Sequence, residues 1–131
     1  MKNIRVVAAV IKKGNTIFAT QRGYGEFKDK WEFPGGKIEQ GETDEMALCR
    51  EIKEELNASI TPIRFLQTIE WDYPNFHLRM NVYLCRLNQP HLELLEAENA
   101  KWLDNSELDS VDWLPADRLL LPSLKEIIGT F

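Results

Sequence analysis

One segment of twenty residues, 36–55, carries seven acidic side chains and constrains this chain more than any other stretch. Its second half has a helical pattern, and at 3.6 residues per turn Glu51, Glu54 and Glu55 share one stripe of the helix. Three carboxylates at these spacings repel one another. The competing interpretation is a solvated acidic face on a surface helix, without a ligand. Mg²⁺ relieves such repulsion, because it takes oxygen ligands and bridges carboxylates to substrate phosphates. The spacing therefore predicts a metal and pyrophosphate site.

The same segment resembles the Nudix box. That motif is a Gly, five residues, a Glu, seven residues, Arg-Glu, an aliphatic residue, any residue, Glu-Glu, any residue, a Gly and an aliphatic residue. Seven of the nine specified positions match, namely Gly36, Glu42, Arg50, Glu51, Ile52, Glu54 and Glu55. The departures are Asn57 in place of Gly and Ala58 in place of a larger aliphatic residue. Because Asn tolerates the left-handed conformation, Asn57 is compatible with a helix end at this point.

Length and composition favour one domain and exclude several classes of protein. The 131 residues are 44% hydrophobic without a break in composition, which predicts a single domain. The resemblance implies that this domain, residues 1–131, is a Nudix hydrolase domain. The net charge of −5 argues against a binder of nucleic-acid polymers. The apolar run 6–11 is too short to span a membrane, and no signal-peptide pattern is present. Cys49 and Cys85 are expected to be buried reduced thiols, which fits a cytoplasmic protein.

The hydrophobic pattern predicts two strands, a first helix, a further group of strands and a C-terminal helix. Strands are expected over residues 4–11, 16–20, 63–73, 76–87, 91–95 and 100–103. A helix is expected over 43–56, and 115–128 has near-helical spacing with Pro122 suited to a first turn. The apolar stripe of the first helix is expected to consist of Met46, Cys49, Ile52 and Leu56. This order predicts an α/β layered domain. The Nudix resemblance implies an α/β/α sandwich with a mixed β-sheet.

The resemblance also implies a metal site on the first helix. Glu51, Glu54 and Glu55 would bind Mg²⁺, or Mn²⁺ in its place, and the carbonyl of Gly35 would add a ligand. The paired glycines Gly35 and Gly36 would free the backbone for close approach to a ligand. Either Glu51 or Glu54 would serve as the base, because each carboxylate can accept the proton of an activated water.

Further residues of the family pattern have supporting roles. Arg50 precedes Glu54 by four residues and would fork onto that carboxylate to hold it in position. Glu42 would either cap backbone amides or support the metals, and we favour the structural role. A distant loop often adds one more metal ligand in this family. We expect Glu96 in that role, with Glu98 as the alternative.

A second resemblance, to the MutT and CTP pyrophosphohydrolase members of the family, extends over nearly the whole chain. It rests on Thr20-Gln21-Arg22, on Trp31-Glu32-Phe33-Pro34-Gly35-Gly36 and on Leu114-Pro115-Ala116-Asp117. It implies that Arg22 contacts phosphate or sugar, that Phe33 packs against the base and that Asp117 hydrogen-bonds the base edge. Lys37 is a second cation that would complete a phosphate cradle with Arg22. The competing interpretations are core packing for Phe33 and a helix N-cap for Asp117.

Asp117 stands where MutT has Asn, and this difference bears on the base. An ionised carboxylate only accepts hydrogen bonds, which suits the exocyclic amine of cytosine, whereas a protonated Asp could read an oxidised guanine.

The resemblance implies a Mg²⁺-dependent nucleoside triphosphate pyrophosphohydrolase that releases a nucleoside monophosphate and pyrophosphate. Its substrates would be CTP- or dCTP-type pyrimidine nucleotides or oxidised purine nucleotides such as 8-oxo-dGTP, which would be removed from the nucleotide pool. The alternatives are hydrolysis of another nucleoside diphosphate derivative such as ADP-ribose, and a Nudix-fold binding module without catalysis. The complete set of box glutamates argues against the last. The expected partner is a small nucleotide, and the chain would be a monomer or homodimer.

Overall fold

A computed structural model describes residues 1–130, which are organised around a mixed β-sheet. Its strands are β1 (Lys2–Lys13), β2 (Thr16–Gln21), β3 (Trp31–Glu32), β4 (Gly35–Lys37), β5 (Ile60–Tyr73), β6 (Phe76–Leu87) and β7 (Asn99–Leu103). The strand order is β3-β2-β1-β6-β5, with β4 also paired to β1 and β7 to β2. The pair β1 and β6 is parallel and the other pairs are antiparallel. The prediction of a mixed sheet is confirmed.

Helices cover both faces of this sheet. They are α1 (Asp44–Leu56), α2 (Pro115–Arg118) and α3 (Leu121–Ile127). Because side chains alternate along a strand, Val7 and Ala9 of β1 pack in the cluster that contains α1, whereas Ala8 and Val10 pack in the cluster that contains α2 and α3. Burial on both faces explains the continuous apolar run in β1. The predicted α/β/α sandwich is confirmed.

Helix α1 has well-defined ends, but its buried face differs from the prediction. The Thr43 hydroxyl accepts a hydrogen bond from the Met46 amide at 3.1 Å, and Asn57 ends the helix with φ 48° and ψ 44°. The left-handed conformation expected of Asn57 is therefore confirmed. The buried residues are Ala47, Leu48, Ile52 and Leu56. Met46 and Cys49 are exposed, so the predicted stripe is wrong at these two positions.

The physical reason is the i, i+4 spacing of Leu48, Ile52 and Leu56, which aligns three branched side chains towards the sheet. The predicted stripe had Met46 and Cys49 in place of Ala47 and Leu48. The prediction of a buried thiol is correct for Cys85 and wrong for Cys49. Burial raises the pKa of the Cys85 thiol to about 12.

Three further differences concern the connections. Residues 91–95 form no strand, because their backbone bonds to the end of α1 instead of to the sheet. The short strands β3 and β4 are not among the predicted strands. The C-terminal segment is divided into α2 and α3, and Pro122 lies in the first turn of α3 as expected. Proline has no backbone N–H for a helix continuing from α2, which accounts for the break.

The longest helix between residues 1 and 130 is α1 with 13 residues. A membrane-spanning helix needs about 20 apolar residues, and no helix of this described part could serve as one.

Candidate active site

A cavity of about 570 Å³ lies beside α1 and the sheet, and two groups of residues line it. We call the first the acidic cluster, and it consists of Glu51, Glu54, Glu55 and Glu96. We call the second the Asp117 group, and it consists of Phe33, Tyr73, Leu114 and Asp117. The cavity therefore brings together residues that sequence reasoning had assigned to metal binding and to base recognition.

Arg50 donates hydrogen bonds to three glutamates at the side of α1 that faces the cavity. Its guanidinium forks onto Glu42, with Nε to Oε2 at 2.7 Å and Nη2 to Oε1 at 2.9 Å. Its Nη1 donates to Glu51 Oε1 at 2.9 Å, and its contacts with Glu54 are longer, at 3.3 and 3.4 Å. The predicted contact with Glu54 is thus present, but the fork expected there is made with Glu42. The bidentate pair holds the pKa of Glu42 down at about 2.

Glu42 has a structural position, as we had favoured. Besides Arg50, its Oε1 accepts a hydrogen bond from the Glu39 amide at 2.8 Å. Arg50 also donates through Nη2 to the Lys37 carbonyl at 2.9 Å. These bonds join the loop between β4 and α1 to the helix and so restrain the backbone next to the acidic cluster.

The carboxylates of the acidic cluster are close enough to perturb one another. Burial raises the pKa of Glu55 to about 9, and the negative charges of Glu51, Glu32 and Glu96 contribute to the rise. Burial also raises the pKa of Glu51, while Arg50 opposes this increase. The side chain of Glu54 is 54% exposed.

The carboxylate oxygens of the acidic cluster are the kind of ligand that a hard divalent cation prefers, but they do not converge on one point. Within residues 1–130, no three Asp, Glu, His or Cys side chains are arranged to hold a metal ion. One reason is that Arg50 holds the Glu51 and Glu54 carboxylates. The donors are all carboxylate oxygens that repel one another, and a cation such as Mg²⁺ relieves that repulsion. The cluster therefore fits Mg²⁺ or Mn²⁺ by its donor set.

The structure distinguishes the two acids of the distant loop. Glu96 lines the cavity, and its charge raises the pKa values of Glu51 and Glu55. Glu98 is oriented towards Lys28, with 3.7 Å between Oε1 and Nζ. The geometry thus favours Glu96 over Glu98 as a member of the acidic cluster.

The paired glycines make close approaches to the protein itself. A Cβ atom on Gly35 would lie 2.0 Å from the carbonyl oxygen of Val7, because β4 runs tightly along β1. A Cβ atom on Gly36 would lie 2.3 Å from the carboxyl carbon of Glu51. Both glycines line the cavity, yet the space they leave is taken by a strand and by a carboxylate. The close approach of this backbone to a ligand stays a prediction.

The cations predicted to contact phosphate both line the cavity. Arg22 makes a bidentate ion pair with Glu32, with Nε to Oε2 at 3.0 Å and Nη2 to Oε1 at 2.7 Å. Lys37, in contrast, is exposed. Sequence reasoning missed Glu32, whose charge raises the pKa values of both Glu55 and Asp117. Its signal was weak, since it is one acid between two aromatic residues.

Asp117 is 5% exposed, and its Oδ2 accepts a hydrogen bond from the Phe33 amide at 2.9 Å. Burial, followed by the charge of Glu32, raises its pKa to about 8. The N-cap interpretation is wrong, because Leu114 is the N-cap of α2 and Asp117 lies inside the helix. A carboxyl group with this pKa is mostly protonated at neutral pH, so it can donate as well as accept.

Phe33 combines its two predicted roles in position. It is 3% exposed and stacks on Trp113 with 4.6 Å between ring centroids, as a core residue does. It also lines the cavity beside Asp117. Sequence reasoning missed Tyr73, another aromatic residue of this wall, whose hydroxyl accepts a hydrogen bond from the Ala116 amide at 3.2 Å.

Comparison with known proteins places this arrangement in a family. The sequence matches the NUDIX domain over residues 1–131. It is 32% identical over 131 residues to 8-oxo-dGTP diphosphatase from Escherichia coli strain K12, covering 97% of this chain and 100% of the relative. It is 34% identical over 90 residues to CTP pyrophosphohydrolase from the same strain, covering 59% of this chain and 67% of that protein.

The fold comparison agrees. The crystal structure of the MutT NUDIX hydrolase from Burkholderia pseudomallei superposes with a TM-score of 0.84 at 25% identity, covering 93% of this chain and 98% of that one. The match over the whole sequence, the related enzymes and the shared fold lead to one conclusion: the chain belongs to the Nudix family and is a Nudix hydrolase.

Proposed function

We propose that this Nudix hydrolase is a Mg²⁺-dependent nucleoside triphosphate pyrophosphohydrolase with a preference for oxidised purine nucleotides such as 8-oxo-dGTP. It adds water across the anhydride between the α and β phosphates and releases a nucleoside monophosphate and pyrophosphate. The observation that carries the proposal is the placement of a buried, largely protonated carboxyl, Asp117, in the same cavity as the acidic cluster. The relative named 8-oxo-dGTP diphosphatase, matched over its full length, supports the same substrate.

In this proposal the acidic cluster holds the cation. Glu51, Glu54, Glu55 and Glu96 are its carboxylate ligands, and the carbonyl of Gly35 adds an oxygen. Bound Mg²⁺, or Mn²⁺ in its place, supplies positive charge that offsets the phosphates and makes water more acidic. Arg50 is a positioning residue, since it contacts both Glu51 and Glu54. One of these two carboxylates accepts the proton of the attacking water.

The cationic side chains and the Asp117 group bind the nucleotide. Arg22 and Lys37 face the cavity and attract the phosphates or the sugar. Phe33 packs against the base with the part of its ring that lines the cavity. A protonated Asp117 donates to a carbonyl oxygen of the oxidised purine, and its other oxygen still accepts the Phe33 amide.

CTP or dCTP is the second candidate, and one observation favours it. The Phe33 amide and Arg22 both oppose the rise in the pKa of Asp117, so a bound amine that donates to this group would favour its ionised form. An ionised Asp117 accepts from the exocyclic amine of cytosine. The relative named CTP pyrophosphohydrolase supports this alternative.

The test is a substrate panel with the purified protein and Mg²⁺. The panel contains 8-oxo-dGTP, dGTP, CTP, dCTP, 5-methyl-dCTP and ADP-ribose, and released pyrophosphate and nucleoside monophosphate are quantified by chromatography. We expect 8-oxo-dGTP to give the highest kcat/KM, with equal amounts of both products and no inorganic phosphate. Glu54→Gln and omission of Mg²⁺ are the controls. Turnover of ADP-ribose alone would overturn the proposal in favour of that derivative.

A further inference from the structure

We propose that Asn57, which replaces the Gly of the Nudix box, positions the loop that carries Glu96 and thereby strengthens cation binding by the acidic cluster. The inference rests on the proposed function, because it takes Glu96 as a cation ligand.

The loop between β6 and β7 is bonded to the end of α1. The carbonyl of Leu56 accepts a hydrogen bond from the Glu93 amide at 2.9 Å, and the carbonyl of Glu55 accepts one from the Leu95 amide at 3.0 Å. Carbonyls in the last turn of a helix have no partner within the helix. The loop satisfies two of them, which places Glu96 one residue after an amide bonded to the backbone of Glu55.

The side chain of Asn57 adds a tie that Gly cannot make. Its Oδ1 accepts from Lys53 Nζ at 2.8 Å, and its Nδ2 donates to Glu93 Oε1 at 3.0 Å. The Asn57 carbonyl also accepts from Gln89 Nε2 at 3.4 Å. Asn57 therefore links the last turn of α1 to the loop through its amide, while its left-handed backbone ends the helix as Gly would.

This tie acts on Glu96 through a short stretch of backbone. Glu93 precedes Glu96 by three residues, and on the far side the Glu98 amide donates to the Gln21 carbonyl at 3.0 Å. Glu96 is thus held between two anchors, and the Asn57 amide reinforces the first of them. Partners that orient a ligand directly contribute about 10- to 100-fold in metal affinity. Asn57 acts one link further away, so we expect a loss of about three- to tenfold without it.

The experiment measures Mn²⁺ binding to the nucleotide-free protein by calorimetry and by the Mn²⁺ electron paramagnetic resonance signal. Asn57→Gly should weaken binding by about three- to tenfold while the Tm stays equal or rises, because Gly suits the left-handed conformation better than Asn. A merely structural role would lower the Tm instead. Glu93→Ala should weaken binding equally, and the double variant should be no weaker than either single one, because both remove the same bond.

Two controls separate the possible failures. Met46→Ala changes an exposed residue of α1 outside this tie and should bind Mn²⁺ as the unchanged protein does. If Glu96→Gln leaves Mn²⁺ affinity unchanged, Glu96 is not a ligand, and that part of the proposed function fails together with this inference. If Glu96→Gln weakens binding but Asn57→Gly and Glu93→Ala do not, the inference about Asn57 is overturned and the proposed function stands.

Discussion

The acidic cluster and the Asp117 group line the same cavity, but their carboxyl groups differ in their partners and in their exposure. In the cluster, Glu51 and Glu54 share Arg50, and Glu54 remains half-exposed. Asp117 is a single carboxyl in the core, held by an amide from a residue 84 positions away. In the cluster, Arg50 opposes the rise in the pKa of Glu51, whereas burial raises the pKa of Glu55 to about 9. Burial raises the pKa of Asp117 to about 8, so this carboxyl, which has no part in the cluster, is a neutral hydrogen-bonding group.

Glu54→Gln should separate the two regions most clearly. Loss of a carboxylate that binds the cation or accepts the proton should lower kcat about 1,000-fold. The side chain is 54% exposed, so the Tm should change little. Binding of the product 8-oxo-dGMP in the absence of metal, measured by calorimetry, should be unaffected because the Asp117 group is intact. A parallel loss of this binding would show that the two regions are not independent.

The two adjacent glycines should respond differently to a single methyl group. Gly35→Ala places a Cβ against the backbone of β1, so it should lower the free energy of unfolding by about 3 kcal/mol. Gly36→Ala displaces the Glu51 carboxylate, which can move, and should lower kcat about 100-fold with a smaller loss of stability. Urea unfolding and steady-state kinetics on both variants check this. Equal effects on stability would contradict the assignment of these contacts.

Asp117→Asn should alter substrate choice without touching the cluster. In the unchanged protein, the ratio of kcat/KM for CTP to that for 8-oxo-dGTP should rise as the pH passes about 8, because Asp117 ionises there. In the variant this rise should be absent, with CTP turnover at high pH lower by about tenfold. The ratio is measured from pH 6.5 to 9.5 on the same enzyme stock. Mn²⁺ affinity serves as the control and should be unchanged.

A further effect is expected on the free energy of unfolding as a function of pH, measured in the presence of a chelator. The folded-state pKa values of Asp117 and Glu55 are raised to about 8 and about 9, so the folded state binds more protons than the unfolded state between about pH 4 and pH 9. Their contribution to stability is complete below the unfolded pKa values and is lost as the pH rises through 8 and 9.

Denaturant unfolding at pH 6 and pH 9.5 should therefore show a loss of several kcal/mol, because each pH unit crossed below a raised pKa costs about 1.4 kcal/mol. Asp117→Asn should reduce this loss, because its amide does not titrate. An unchanged pH dependence in the variant would mean that Asp117 is ionised in the folded protein at neutral pH.

Much of the fold and part of the site could be predicted from local patterns. The strands β1, β5 and β6 and the helix α1 follow from runs and spacings of neighbouring residues, because side-chain direction repeats with a fixed period in each element. Residues 91–95 were misassigned, because their backbone bonds to the carbonyls of α1 rather than to a strand. The buried face of α1 was also misjudged at Met46 and Cys49, since periodicity alone does not report where the sheet lies.

The family, the layered α/β class and the helix that carries three spaced glutamates follow from the amino-acid sequence alone, because a helical repeat and a contiguous motif are local properties of the chain. Three other features follow only from the folded chain: Arg50 forks onto Glu42, Glu96 rather than Glu98 faces the cavity, and Asp117 is buried. The fork depends on how the loop before α1 folds against the helix, and the other two depend on contacts between residues far apart in the chain. Burial and neighbouring charge, which no local pattern encodes, then determine the protonation of Asp117.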